Sequence, residues 1–324
     1  MRRLTILRRG FLGLVLALLA AAAAAQPYPG RPVRLIIPFP PGGSNDLVGR
    51  MAVAQLGERL GQQVVVDNRG GAGGTIGTDV AAKAPPDGYT LLLISTAYAF
   101  NTSIYRQLPY DPVRSFVPVA IIGAGPGVLV VNPRLPVASV QELIALAKQK
   151  PGQLNNASAG VGSFQHLASE LFKLQAGIDL LHVPYKGGGP AMMDLIGGQA
   201  DVSIGSLIQM LPHVRSGKLK ALGTTGAKRA AVLPDVPTVA EAGVPGYEAT
   251  NWWGILAPAG TPQPVVARLH AELGAIVASA ETKKRLETEG AEGRQMSQAD
   301  FGRFIADETA KWARVVKEAG IRAE

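Results

Sequence analysis

Short apolar runs alternate along the chain with segments whose apolar residues recur at helical spacing. Val33-Arg34-Leu35-Ile36-Ile37 reads as a strand and Pro38-Phe39-Pro40-Pro41-Gly42-Gly43-Ser44 as a turn. A helix over 46–60 follows, with Leu47, Met51, Ala54 and Leu60 on or near one face and Gly61 as its stop. Val64-Val65-Val66 is the next strand, a glycine-rich loop over 69–74 leads into a short helix ended by Pro85-Pro86, and 89–94 is a third strand. A second series of the same kind follows Pro126. There 128–131 is a strand, and Ser139-x-x-Glu142 opens a helix as a capping box, with Val140, Leu143, Ile144 and Ala147 in one stripe. The stretch 156–163 reads as a loop, Ser163 caps a helix carrying Leu167, Leu171 and Leu174, and Gly177 ends it. Strands at 182–185 and 201–204 follow, with Pro190 where a helix starts. From Pro262 the chain is mainly helical, its last helix running from about Ser297 with Phe301, Phe304 and Trp312 as apolar positions.

Alternation of this length predicts an α/β fold with mostly parallel sheets flanked by helices. Two such series and a helical tail predict two lobes. The first is discontinuous, 26–124 plus 251–324, and the second is 125–250, with crossings near Gly125 and near Thr250-Asn251. Trp252-Trp253 sit at the second crossing, where they serve either as core or as reporters of lobe closure.

Residues 1–25 read as a cleaved secretory signal: four arginines, an apolar stretch, then Ala23-Ala24-Ala25 before Gln26. Arg8-Arg9-Gly10-Phe11-Leu12 also resembles a twin-arginine signal, so both general and twin-arginine export routes stay open. No later stretch approaches the roughly 20 apolar residues of a membrane helix, and the expected location is the periplasm. The formal charge of +8 drops to +4 once those arginines are removed. With no run of like charges and no basic–aromatic interleaving, nucleic acid is excluded as a partner. The absence of cysteine removes disulfides, thiolate metal sites and a cysteine nucleophile.

Candidate chemistry lies in the turns. Gly42-Gly43-Ser44-Asn45, Gly73-Gly74-Thr75 and Gly160-Val161-Gly162-Ser163 each precede a helix. Each would aim unpaired backbone N–H groups and a positive dipole end out of the sheet. In open α/β sheets such loops lie where ligands bind. Glycine and serine also build turns and caps with nothing bound, but three such loops on two lobes would make a cleft that holds an anion without lysine or arginine. Enzyme signatures are broken or missing: Ile76 takes the third glycine's place in Gly71-Ala72-Gly73-Gly74-Thr75-Ile76, and Asn156-Ala157-Ser158-Ala159-Gly160 lacks the first glycine of a nucleophile elbow. His166 and Glu170 share a helix face, but His182, His213 and His270 add no ligand spacing, so neither metal nor cofactor is expected. A carboxylate repels an anion, so Asp46 reads as a brace of its helix start and Asp201 as a brace of the second lobe. Contact with an amino group on the ligand is the sharper alternative that keeps both among the candidates.

Taken together, these residues resemble the substrate-binding receptors of the tripartite tricarboxylate transporter family, the Bug or TctC receptors. The resemblance runs through Pro38 to Asp46, Asn68-Arg69-Gly70-Gly71-Ala72-Gly73-Gly74 and Pro85-Pro86-Asp87-Gly88-Tyr89-Thr90. It continues through Ser158 to Ser163, His166-Leu167, His182-Val183-Pro184-Tyr185-Lys186-Gly187, Leu233 to Thr238 and Ala257 to Pro262. Arg69-Gly70 departs from the family, where lysine and proline are common. The resemblance implies a type II periplasmic binding-protein fold: two lobes with a ligand cleft between them, closing on a carboxylate held by backbone amides, hydroxyls and water. Carried onto this sequence it implies Phe39, Gly43, Ser44, Asn45, Gly74, Thr75, Ser95 and Thr96 on the first lobe, and Ser158, Gly162, Ser163, His166 and Ser206 on the second. Tyr98 joins them because it follows the third strand with Ser95 and Thr96.

The expected function is a monomeric, non-enzymatic receptor that captures a small organic carboxylate by hinge closure and delivers it to membrane permease subunits. Two other classes compete: a periplasmic sensor docking on a signalling kinase, and a secreted serine hydrolase. Side chains at the distal half of the cleft decide among dicarboxylates, aromatic acids, amino acids and nicotinate-like compounds.

Overall fold

The computed structural model describes residues 28–318 and 320–321, so the signal read over 1–25 lies outside the described residues. Its strands are β1 (Val33–Ile37), β2 (Val64–Asn68), β3 (Thr90–Ser95), β4 (Phe116–Val131), β5 (Asn155–Ser158), β6 (Leu181–Pro184), β7 (Val202–Ser206), β8 (Lys220–Thr224), β9 (Thr250–Pro258) and β10 (Glu292–Gly293). Among them lie the helices α1 (Ser44–Leu60), α2 (Thr75–Ala82), α3 (Thr96–Ile104), α4 (Val140–Gln149), α5 (Phe164–Ala176), α6 (Gly188–Gly197) and α7 (Leu207–Arg215). The tail carries α8 (Gln263–Ala278), α9 (Ala280–Thr288) and α10 (Gln298–Glu318).

The strands join in the order β2-β1-β3-β9-β4-β7-β5-β6, with β8 and β10 pairing at β4. β1 runs parallel to β2 and β3, and β5 parallel to β6 and β7. Both outer thirds are therefore parallel, as the strand–helix alternation predicts, while every pair made by β4 or β9 is antiparallel. β4 is the shared strand. Its residues 116–126 pair with β9, and its residues 127–131 pair with β7. The sheet thus has two halves, each covered by its own helices.

Alternate residues of the central strands face opposite layers. Leu35, Ile37, Leu91 and Leu93 pack with Val48, Met51, Leu269 and Leu273 from α1 and α8. Ile36, Leu92 and Ile94 face Tyr98, Trp252 and Phe301 on the other side. Burial on both faces is why β1 and β3 read as near-continuous apolar runs. In the other half Val128 and Val130 meet Ala191, Leu195 and Met210, while Leu129 and Val131 meet Val140, Leu143, Leu167 and Phe172. The latter layer also takes in Phe100 of α3 and Trp312 and Val316 of α10, so one core runs beneath both halves.

Several local readings change. α1 buries Val48, Met51, Ala52, Leu56 and Leu60, whereas Leu47 is 38% exposed and Ala54 is exposed. That face also includes Gly49, where the helix approaches the sheet closely: a Cβ there would stand 2.6 Å from Ile37. β4 begins at Phe116, well before 128; Gly123, Gly125 and Pro126 break its apolar pattern and hide its first part in the sequence. Gly123 is needed there, since a Cβ would meet the Glu292 carbonyl at 2.6 Å. The loop read over 156–163 contains strand β5, whose Asn156 and Ser158 are fully buried polar residues. They escape an apolar-pattern reading because hydrogen bonds, Ser169 to Asn156 and Ser158 with His182, make their burial tolerable. Ser139 does cap α4 by accepting from the Glu142 N–H, but Glu142 returns its carboxylate to the N–H of Ala138 rather than Ser139.

Candidate functional site

The chain repeatedly leaves a strand and enters a helix at one edge of the sheet. β3 passes into α3 at Ser95 and β7 into α7 at Ser206, with no intervening loop. β1, β5 and β6 reach α1, α5 and α6 through short turns capped by Gly43, Ser163 and Gly187. Of these caps only Ser163 uses its side chain on its own helix, accepting from the His166 N–H; the other helix starts keep their first N–H groups free of side-chain caps. Such starts attract negative charge.

These starts surround one cavity. From the first half it is lined by Phe39, Gly43, Ser44, Asn45 and Ser95, together with Asn251. From the second half Ala159, Ser163, Phe164, Gln165, Gly188 and Gln209 face them. No lining side chain carries a formal charge. The cavity measures about 20 Å³, roughly the room for one water molecule.

Glycines let the halves approach. A Cβ on Gly189 would lie 3.1 Å from the Pro41 carbonyl, and one on Gly73 would lie 2.6 Å from the Val161 carbonyl. Two backbone-to-backbone seams thus flank the cavity.

Behind the lining, a polar frame fixes each group. Thr96 donates to Asn251 Oδ1 at 2.9 Å and accepts from the Trp252 N–H, while Asn251 Nδ2 donates to Ser206 Oγ at 2.9 Å. Trp253 Nε1 donates to Asn45 Oδ1 at 3.0 Å. Asp46 accepts from the Gly42 N–H, Arg50 and Asn68. Burial pushes its carboxyl up, yet those hydrogen bonds outweigh it and hold the group below the usual carboxylate range. Asp46 thus ties the first loop to the start of α1.

On the second half His166 and His182 stack with ring centroids 4.1 Å apart. Gly162 N–H donates to His166 Nδ1 at 3.3 Å, and His182 Nε2 shares a 2.6 Å hydrogen bond with Ser158 Oγ, which also accepts from the Gly160 N–H. The pair therefore holds the Gly160–Ser163 turn from behind. Burial, then the neighbouring His182 and Lys173, pushes His166 down to about 3, and burial and Lys173 push His182 down to about 4. Lys173 itself pairs with Glu170 and Asp179. Both imidazoles are neutral in the fold but protonate in the unfolded chain near pH 6.5. The unfolded state takes up more protons below that pH, so stability is full above about 6.5 and falls toward 4 and below. The slope approaches about 1.4 kcal/mol per pH unit for buried His166 and less for part-buried His182. Urea unfolding at pH 7, 6 and 5 should show this loss, and His182→Gln should flatten it. A wild-type midpoint that does not move would refute the neutral pair.

Of the residues expected from sequence, Phe39, Gly43, Ser44, Asn45, Ser95 and Ser163 line the cavity. Thr96, Ser206, Asp46, Ser158, Gly162 and His166 stand one layer back in the frame just described. Gly74 and Thr75 begin α2 beside the Gly73 seam, where Thr75 Oγ1 donates to the Ala72 carbonyl. Tyr98 is elsewhere: its hydroxyl donates to the Pro112 carbonyl and its ring packs with Tyr110 and Phe116. Asp201 precedes β7 at the end opposite Ser206, where its carboxylate accepts from the Asn155 N–H, so it braces a strand start rather than the cavity. Ala159, Phe164, Gln165, Gly188, Gln209 and Asn251 also line the cavity and are not among the residues expected from sequence. The same strand-to-helix logic that selected Ser206 extends to Gln209, three residues on, and the run Gly187-Gly188-Gly189-Pro190 is a fourth glycine turn before a helix.

Known proteins share this architecture. BugT of Bordetella pertussis is 41% identical over 306 residues, covering 94% of each chain. A solved structure described as R. palustris Rpa4515 with adipate is 40% identical, superposes with a TM-score of 0.89, and covers 91% of this chain and 99% of its own. The periplasmic binding protein BugD is 36% identical with a TM-score of 0.89, over 92% of this chain and 100% of its own. The model of the tripartite tricarboxylate transporter family receptor matches residues 48–321, and the chain belongs to that receptor family.

Proposed function

We propose that the chain is a periplasmic receptor that captures a small organic carboxylate between its lobes and delivers it to the membrane subunits of a tripartite tricarboxylate-type transporter. One observation carries the reading: helix starts from both halves converge on a cavity with no charged side chain in its lining. Family membership and the adipate described in a relative support it. Among the described residues no helix is long and apolar enough to cross a membrane. In this reading 26–124 plus 251–324 and 125–250 are the moving lobes. They hinge where β4 changes partners and where β9 begins, a placement supported by the pairing of Pro126 with Thr250. Contacts made with both lobes at once stabilise the closed form.

The short Ser158–His182 contact raises a serine hydrolase as a second reading. Ser158 is fully buried, His182 is held near 4, and no carboxylate is hydrogen-bonded to either histidine among the described residues. A base so weakened, with no orienting acid, is poorly suited to activate a hydroxyl. The receptor reading is therefore preferred, without catalysis.

Isothermal titration with adipate, malate, aromatic acids and amino acids should give one site for at least one of them. At a hundred-fold excess over Kd that ligand should stabilise the fold by about 2.7 kcal/mol. Failure of every acid to bind, or turnover of an ester panel above the blank, would overturn the proposal.

A further inference from the structure

We infer that a groove at the junction of the two halves is a second binding site, for an organic monocation with an apolar body, and that its occupant strengthens carboxylate capture. The groove measures about 470 Å³, within the roughly 300–1,000 Å³ of small-molecule pockets. It shares no lining residue with the carboxylate cavity. Gly125, Pro126 and Thr250 line it where β4 leaves β9 for β7. From the first half come Glu287 at the end of α9 and the stretch through β10, which pairs with the first part of β4. From the second half comes the segment 226–232, which follows β8. The two halves touch at Gly290, where a Cβ would lie 2.6 Å from Leu207 and 3.0 Å from Val232. A shift of one half against the other therefore reshapes the groove.

The lining selects by body and by charge. Pro126, Ala227, Ala230, Ala231, Val232 and Ala291 supply apolar surface. Of the charged side chains, Arg229 is held by Glu241, and Arg294 by Glu292. Lys228, Glu248 and Glu287 enter no ion pair among the described residues, which leaves the groove one negative charge in excess. A monocation balances that charge, whereas an anion meets two carboxylates against one lysine. The two carboxylates come from different halves, Glu287 from α9 and Glu248 from the segment between β8 and β9. An ammonium group drawn to both favours the arrangement in which the helix starts converge on the cavity. By linkage, the captured carboxylate tightens the cation by the same factor.

The coupling rests on the receptor reading; occupation of the groove does not. The test is isothermal titration of the whole protein with 2-phenylethylamine, beside 2-phenylethanol, which has the same body without the charge. The amine should bind at one site, about five-fold or more tighter than the alcohol. Glu287→Gln and Glu248→Gln should each weaken it about two- to five-fold and together erase its advantage, whereas Lys228→Gln should strengthen it. All three positions are exposed, and melting midpoints confirm that each variant folds. An amine that binds no better than the alcohol overturns the site, as does one that binds both glutamine variants as tightly as the wild type. With the amine saturating, the best carboxylate of the panel should bind about two-fold or more tighter. An unchanged carboxylate affinity overturns the coupling while the site stands. If no carboxylate binds, the receptor reading falls, and the amine titration still decides the groove.

Discussion

Gly189→Leu is expected to weaken binding of the best carboxylate of the panel about 100-fold while leaving the melting midpoint of the free protein nearly unchanged. Gly189 lies in the first turn of α6 with no positive φ, so a side chain there suits its own helix. Across the cleft the situation reverses, because the Cβ already stands 3.1 Å from the Pro41 carbonyl and the rest of the leucine has to occupy a seam where backbone meets backbone. Overpacking of that kind costs up to about 3 kcal/mol. Only the closed form bears the cost, so the binding-competent fraction falls and apparent affinity falls with it. Gly189→Ala should show the same effect more weakly. Small-angle scattering should find the leucine variant extended in saturating ligand; a compact, tight-binding variant would mean that the seam is not part of closure.

Trp312→Ala should produce the largest loss of stability, about 3–5 kcal/mol. Trp312 is 1% exposed, meets Phe100 edge to face with centroids 4.6 Å apart, and donates through Nε1 to Glu308. It belongs to the layer that runs beneath both halves, so its removal opens a cavity that neither half can close alone. The cost is a large share of the roughly 5–15 kcal/mol of a typical domain. Urea unfolding monitored by far-ultraviolet dichroism measures it, with Trp312→Phe recovering part of the loss. A change below about 1 kcal/mol would show that the C-terminal helix is dispensable to the core.

What could be seen in the sequence was local. β1 is an apolar run broken only by Arg34, and α5 carries its own start and stop in Ser163 and Gly177, so both are legible at once. β5 was not, because its inward residues are polar and their partners, Ser169 and His182, lie far along the chain. The same contrast holds at the cavity. Gly43, Ser95 and Ser163 announce themselves as turn residues before helices. Asn251 does not, because its role comes from pairing with Gly125 across β4 and β9, which brings it to Thr96 and Ser206. Likewise nothing in the spacing of His166 and His182 suggests a stack; strand register places Asn156 beside His182, and α5 lays His166 over it.

The lining of the cavity has a bearing on when a guest is recognised. With Asp46 held low and His166 near 3, the titratable groups one layer behind the cavity keep a fixed proton inventory near neutrality. Capture then follows the dissociation curve of the acid being captured, complete above about pH 6. Such a receptor keeps a steady grip while the acidity of the medium drifts, and it tells a conjugate base from the same molecule with its proton on.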